Sequence, residues 1–275
     1  MIAVCSICPH HCRLEEGRLG LCRARIGKEG KVVCENYGRL TAIALDPIEK
    51  KPLYHFHPGS RILSVGSYGC NLNCPFCQNC DISMVGGKDI ETARLTGQEL
   101  VDKALALKER GNIGIAYTYN EPLIGYEFVM DCARLARAQG LKNVVVTNGY
   151  ICEEPLSALL PFIDAFNIDL KGFTQGYYRK LRGDLDTVKR TIEIAAGRAH
   201  VEVTTLIVPG ENDSEEEIDS LSAWLAGISP DIPLHITRFF PRWRMTDREA
   251  TPIRHVYRLA EVARKNLQYV YEGNC

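Results

Sequence analysis

The sequence predicts an α/β fold: a partial (β/α)6 TIM-type barrel carrying a small N-terminal cysteine-rich appendage. Three observations lead there. From Arg61 onward, short β-type runs alternate with stretches of helical periodicity, the pattern of βα units around a parallel sheet. Residues 61–275 hold six or seven such units at roughly 30 residues each, and a closed barrel of eight would need about 250. The first 60 residues share neither rhythm and are rich in cysteine.

The appendage, 1–60, opens with two cysteine-rich loops. It continues with short strands at 31–34 and 40–45, joined through 35–39 as a hairpin, and ends in a polar connector closing on His57-Pro58-Gly59. In the barrel, 61–275, β-type runs fall at 62–65, 113–118, 143–147, 165–169, 201–208, 234–239 and 269–271. Helical periodicity fills the intervals at 97–110, 123–139, 153–160, 185–196, 214–226 and 252–265. Ser214 before Glu215, Glu216 and Glu217 reads as an N-cap with an acidic first turn, and Gly111, Gly140 and Gly197 stand where C-caps belong.

Composition narrows the class. Hydrophobic residues at 45% and charged residues at 24% are ordinary for a soluble globular protein. With 33 basic against 34 acidic side chains, no net field favours nucleic acid or an anionic membrane. No apolar run reaches the length of a membrane span, and MIAVCSICPHHCR lacks the charged and apolar regions of an export signal, so the expected location is the cytoplasm. Twelve cysteines in such a chain point to metal or catalysis more than to disulfides.

In a (β/α) barrel, chemistry sits at the C-terminal ends of the strands. Directly after the first barrel strand come Cys70, Cys74 and Cys77, a C-x3-C-x2-C loop whose thiols can converge on one metal centre. Soft thiolates select an iron–sulfur cluster or zinc. Zinc would want a fourth ligand, from Cys80 or a histidine. A [4Fe–4S] cubane held by three cysteines leaves one iron open, able to take the amino nitrogen and carboxylate oxygen of S-adenosylmethionine (SAM).

This loop, with Phe76 before the third cysteine, resembles the motif of the radical SAM superfamily, in which that aromatic packs near the adenine. The stretch Glu49-Lys50-Lys51-Pro52-Leu53-Tyr54-His55-Phe56, taken with Cys77-Gln78-Asn79, resembles the pyruvate formate-lyase-activating-enzyme-like branch. More narrowly, it is similar to the radical SAM component of the AmmeMemoRadiSam system. The resemblance covers nearly the whole chain and implies a role for several strand ends. Asn120 and Glu121, in Tyr117-Thr118-Tyr119-Asn120-Glu121-Pro122, stand where the superfamily carries a Gly-Gly-Glu-Pro-like stretch that accepts from the SAM ammonium; read alone, the stretch is equally a helix start capped by Asn120. Asn148, in Thr147-Asn148-Gly149, matches a ribose-side contact and is otherwise an Asn-Gly turn.

Asp169 and Lys171 share one face by period-two alternation, and the resemblance implies that they border SAM and the substrate; otherwise they form a surface ion pair. A carboxylate within an apolar strand is costly unless paired, so Glu202 is expected to face a cation or the SAM pocket. His235 and Arg238 fall near the barrel mouth as binding candidates, with a packed histidine and a snorkelling arginine as the plain alternatives.

A second set, Cys5, Cys8, Cys12 and Cys22, gives four ligands in one short segment turned by Pro9, Gly17 and Gly20. Four thiols suit a closed structural zinc site, with His10 or His11 able to replace one of them. They also suit an auxiliary cluster, and Cys8-Pro9 is similar to ferredoxin loops. Cys34, Cys80, Cys132 and Cys152 read as packed small hydrophobes, and Cys275 has no assigned role.

The expected function is that of an oxidoreductase-type radical SAM enzyme, reductively cleaving SAM to a 5′-deoxyadenosyl radical that abstracts hydrogen from an unidentified substrate. A flavodoxin or ferredoxin would donate the electron. The substrate side is open to a protein or to the AmmeMemoRadiSam partners, with activation of a glycyl radical enzyme as the runner-up. From another class, a non-catalytic zinc or iron–sulfur electron carrier would need no site for an amino-acid ammonium.

Overall fold

The computed structural model describes residues 2–275. Its centre is an eight-stranded sheet. In chain order the strands are β1 (Ala42–Pro47), β2 (Arg61–Gly66), β3 (Asn112–Tyr117), β4 (Lys142–Thr147), β5 (Ala165–Asp169), β6 (His200–Ile207), β7 (Leu234–Arg238) and β8 (Val270–Gly273). Neighbours in sequence are neighbours in the sheet. Every pair from β2 to β8 is parallel, and β1 joins the outer side of β2 antiparallel. The two edges, β1 and β8, do not pair with each other, so the barrel is open.

Six crossovers connect the parallel strands. They carry the helices α1 (Gly97–Ala106), α2 (Tyr126–Ala138), α3 (Glu153–Leu159), α4 (Leu185–Ala196), α5 (Glu215–Ile228) and α6 (Ile253–Ala263). The six predicted βα units are therefore present, followed by a last strand. Parallel strands covered on one face by helices and folded around an interior on the other are buried almost throughout, which is why their sequences run apolar rather than alternate.

Local chemistry sets the helix starts. Thr96 forms a capping box with Glu99, Asp184 accepts from Thr187 N–H, and Ser214 accepts from Glu217 N–H as predicted. Each such cap contributes about 1 kcal/mol. Gly111 and Gly140 adopt the left-handed conformation of a C-cap, whereas Gly197 does not: its φ is −74°. The sequence reading missed two short helices, Cys80–Ser83 and Gln175–Lys180, both too brief to show a period.

The N-terminal hairpin also differs from expectation. Lys31–Cys34 pairs with Arg25–Lys28 across Glu29-Gly30, where both residues have positive φ. The strand expected at 40–45 belongs instead to the main sheet as β1, registered against β2 from Ala42↔Gly66 to Pro47↔Arg61. Its place is set by that six-residue pairing with β2, and of its side chains only Asp46 is buried.

The connector between β1 and β2 closes the lower end of the barrel. Pro52 C=O accepts from Asn167 Nδ2, and the backbone N–H groups of Tyr54 and His55 donate to Glu202. None of the helices among the described residues is long and apolar enough to cross a membrane.

Candidate functional site

A cavity of about 340 Å³ occupies the upper barrel interior, within the range of about 300–1,000 Å³ common for small-molecule sites. Cys70, Cys74 and Cys77 form one wall, in the loop that leaves β2. Phe76 lies beside them, buried and edge-on to Phe239. The ends of β3, β4 and β5 bring Asn120, Glu121, Asn148, Asp169 and Lys171 to the same space. Residues scattered over a hundred positions thus meet because parallel strands end at one level.

Burial drives the three thiols above their ordinary pKa, Cys74 to about 12, although the nearby Lys171 ammonium works the other way on Cys74 and Cys77. Such groups become thiolates only with a cation to compensate. The donor set fits an iron–sulfur cluster: the residues lining the cavity include these three cysteines and no histidine. Cys80, the alternative fourth ligand, does not line the cavity and turns its thiol toward Asp81. Among the described residues, no three His, Cys, Asp or Glu side chains already converge on a single metal position.

Glu121 is the best-connected acid of the wall. Oε1 accepts from Leu123 N–H at 3.0 Å and from Thr147 Oγ1 at 2.7 Å; Oε2 accepts from Asn148 N–H at 2.8 Å. Burial pushes its pKa up to about 7, against the pull of those donors. A carboxylate has about four acceptor positions, so one on Oε2 stays open. The helix start is capped by Glu121 rather than by Asn120, with Pro122 in its first turn. Asn120 instead clamps the cluster loop, accepting from Ser67 N–H and donating to Gly69 C=O.

Asn148 Nδ2 donates to Asn71 Oδ1 at 2.9 Å and approaches Cys70 Sγ at 3.6 Å. Lys171 Nζ donates to Asp169 at 2.8 Å, as period two predicts. Burial disfavours the ammonium, but Asp169 and Cys74 more than offset it and raise its pKa.

Two predicted site residues lie elsewhere. Glu202 and His235 are buried below the cavity, where the Glu202 carboxylate accepts from His235 Nε2 at 2.7 Å, His200 Nε2 at 2.9 Å and two backbone N–H groups. Period two puts Glu202, Thr204 and Leu206 on one face, yet only Thr204 and Leu206 reach the cavity. Likewise Thr237 lines it and His235 sits one layer beneath. Glu202 does face hydrogen-bonding partners, two imidazoles and two amides, but at the floor. Burial opposes its charge, and the two imidazoles and two amides win, lowering its pKa to about 2. Arg238 turns to Thr251 C=O and stacks on Phe240.

Sequence reading missed Lys51, Tyr119 and Asp46. Lys51 is buried, donates to Asp46 at 2.8 Å and lies over the Tyr119 ring; Tyr119 Oη also donates to Asp46 at 2.6 Å. Tyr119 has φ 72°, a left-handed conformation that marks strain beside the cavity it lines. A lysine before proline in the connector was the one available signal.

A family model described as the radical SAM superfamily matches residues 64–221. An uncharacterized protein of Methanocaldococcus jannaschii is 40% identical over 98% of this chain and 80% of its own. The pyruvate formate-lyase-activating enzyme of Clostridium pasteurianum is 32% identical, over 60% of this chain and 69% of that one. A radical SAM methyltransferase from Sphaerobacter thermophilus shares the fold with a TM-score of 0.59 at 18% identity, covering 79% of this chain and 67% of that one.

Proposed function

The chain belongs to the radical SAM superfamily, and from that premise we propose that Cys70, Cys74 and Cys77 hold a [4Fe–4S] cluster at which SAM is reductively cleaved. It is an enzyme of the radical SAM type, and the family implies SAM and an electron donor. The observation that carries the proposal is the convergence of three cysteines and the polar residues of three strand ends on one cavity. When bound, the cluster supplies one electron that splits SAM into methionine and a 5′-deoxyadenosyl radical, which takes hydrogen from the substrate.

The protein's own residues do the placing. Glu121 braces the turn at Thr147 and Asn148 through three hydrogen bonds and keeps one acceptor position for the SAM ammonium. Asp169, fixed by Lys171, offers its other oxygen to the ribose hydroxyls. Phe76 supplies an apolar surface for the adenine. Lys51 and Pro52 close the space from below and exclude water from the reacting end. A flavodoxin or ferredoxin serves as the electron donor.

For the substrate we favour a macromolecule handled with the AmmeMemoRadiSam partners, supported by the stretch from Glu49 to Phe56 and the cluster loop. Activation of a glycyl radical enzyme is the second reading, favoured by the relative from Clostridium pasteurianum.

The test is anaerobic reconstitution followed by spin resonance with and without SAM, and quantification of 5′-deoxyadenosine after reduction. The signal should change when SAM is added. Cys74→Ala should abolish 5′-deoxyadenosine while its thermal unfolding stays cooperative, because it removes a single sulfur from the loop and leaves Leu72 and Phe76 to pack on the core. A cluster signal indifferent to SAM, or cleavage surviving in Cys74→Ala, sinks the proposal.

A further inference from the structure

The appendage contains a second thiol pocket that the radical chemistry does not use. Cys5, Cys8, Cys12 and Cys22 line one enclosed space together with Arg25 and Gly20. Cys5, Cys8 and Cys22 are buried. Gly20 lies against two of the sulfurs: a Cβ there would stand in ordinary contact, 3.7 Å from both Cys12 Sγ and Cys22 Sγ. His10 also lines this space, with its Nε2 donating to Asn71 C=O at 2.8 Å, while His11 Nδ1 donates to Cys5 C=O at 3.3 Å; the four thiols by themselves complete a tetrahedral set.

Arg25 is the independent sign of a ligand. It is 4% exposed, and its two terminal nitrogens are occupied by Glu127 and Ile124 C=O. Its Nε–H is buried without a partner, in a side chain that lines the thiol pocket. A buried, unpaired N–H costs about 1–3 kcal/mol. Thiolate sulfurs bound to a metal would answer it, as acceptors of charge-assisted N–H···S bonds.

Size and donor set favour a single ion. The cavity is about 10 Å³, about the room of one water-sized sphere. One ion fits with little movement of the four sulfurs, whereas the eight atoms of a cubane require the thiols to move apart. We propose that these four cysteines bind a single zinc ion as a closed tetrathiolate site, with Arg25 Nε as the outer hydrogen-bond donor that offsets part of its double negative charge.

The site reaches the catalytic loop. Asn71 C=O accepts from His10, and Cys152 N–H donates to Ile7 C=O. Zinc would therefore stiffen the support on which Cys70 rests.

The experiment uses the full chain with Cys70, Cys74 and Cys77 all changed to Ala, so that no thiol of the catalytic loop competes. Metal analysis should find about one zinc per chain, and cobalt exchanged for zinc should give the absorption of a four-sulfur tetrahedral site. Adding Cys22→Ser should remove the metal or change the cobalt spectrum to fewer sulfurs. Arg25→Lys, which keeps a charge and loses the Nε–H, should bind zinc roughly 10- to 100-fold more weakly in chelator competition. About four irons per chain in the triple variant would make the site an auxiliary cluster and overturn the zinc assignment. A folded triple variant without metal, its four thiols freely reactive, would overturn the site itself. The cobalt spectrum of the triple variant stands as evidence even if Cys22→Ser fails to fold.

Discussion

The Glu121 carboxylate accepts the backbone N–H of Asn148 at 2.8 Å and so fastens the end of β3 to the end of β4. The same side chain holds Thr147 and Leu123 N–H. Glu121→Ala is therefore expected to strand three buried donors, lowering stability by roughly 2–4 kcal/mol and weakening SAM binding at least tenfold in calorimetric titration. Iron content should persist, since no ligand is removed. Unchanged urea unfolding together with unchanged SAM affinity would show that the clamp is idle.

Gly69 precedes the first cluster cysteine with φ 86°, and a Cβ on it would fall 2.3 Å from Cys22 C=O. Both facts require glycine: the conformation is left-handed, and the neighbour is backbone that cannot swing away. Gly69→Ala should lose roughly 2–4 kcal/mol and reconstitute with less iron than wild type, because the seat between appendage and cluster loop is forced apart. Denaturant unfolding and iron assay check it, and a variant equal to wild type in both would refute the close packing.

The floor of the barrel should be sensitive to acid. Glu202 has its pKa lowered from 4.5 to about 2 by His200, His235 and two backbone amides, with burial opposing them. The unfolded chain thus takes up this proton first. The stabilisation, about 3 kcal/mol, is fully present above about pH 4.5, falls as pH drops through the window from 4.5 to 2, and is absent below it. Glu202→Gln should be less stable at pH 7 and lose less on acidification across that window. Parallel pH profiles for the two proteins, measured by urea unfolding, would remove Glu202 as the cause.

What the sequence disclosed depended on the range of the information. The loop of Cys70, Cys74 and Cys77 was legible because three cysteines in eight consecutive residues are a local pattern. Asp169 and Lys171 were legible because strand alternation fixes their common face. Alternation fixes a face and not a depth, so Glu202 and His235 looked like cavity residues although they lie one layer below it. Lys51 escaped because the connector has no period; its place is set by contacts such as Tyr54 N–H to Glu202, 148 positions away, and Asp46, at the end of β1, escaped because its partners Lys51 and Tyr119 come from outside that strand. The strand at 42–47 was visible as a strand, but its partner, β2, lies across the connector, and nothing local in the sequence names it.

An open sheet leaves two rows of amide groups, at β1 and β8, that could template a foreign strand. The run Ala42-Ile43-Ala44-Leu45 at one of them is apolar and β-prone, and Ile43 is 40% exposed. Asp46 and Pro47 break it: one carries a charge turned inward, the other has no amide hydrogen to offer. At the other edge β8 is only four residues long and ends on Gly273. Asp46 therefore has two occupations, holding Lys51 beneath the cavity and guarding the chain against aggregation along its longer edge. An Asp46→Val protein would lose both at once, and its failure would appear first as precipitation during refolding, before any assay of activity could be made.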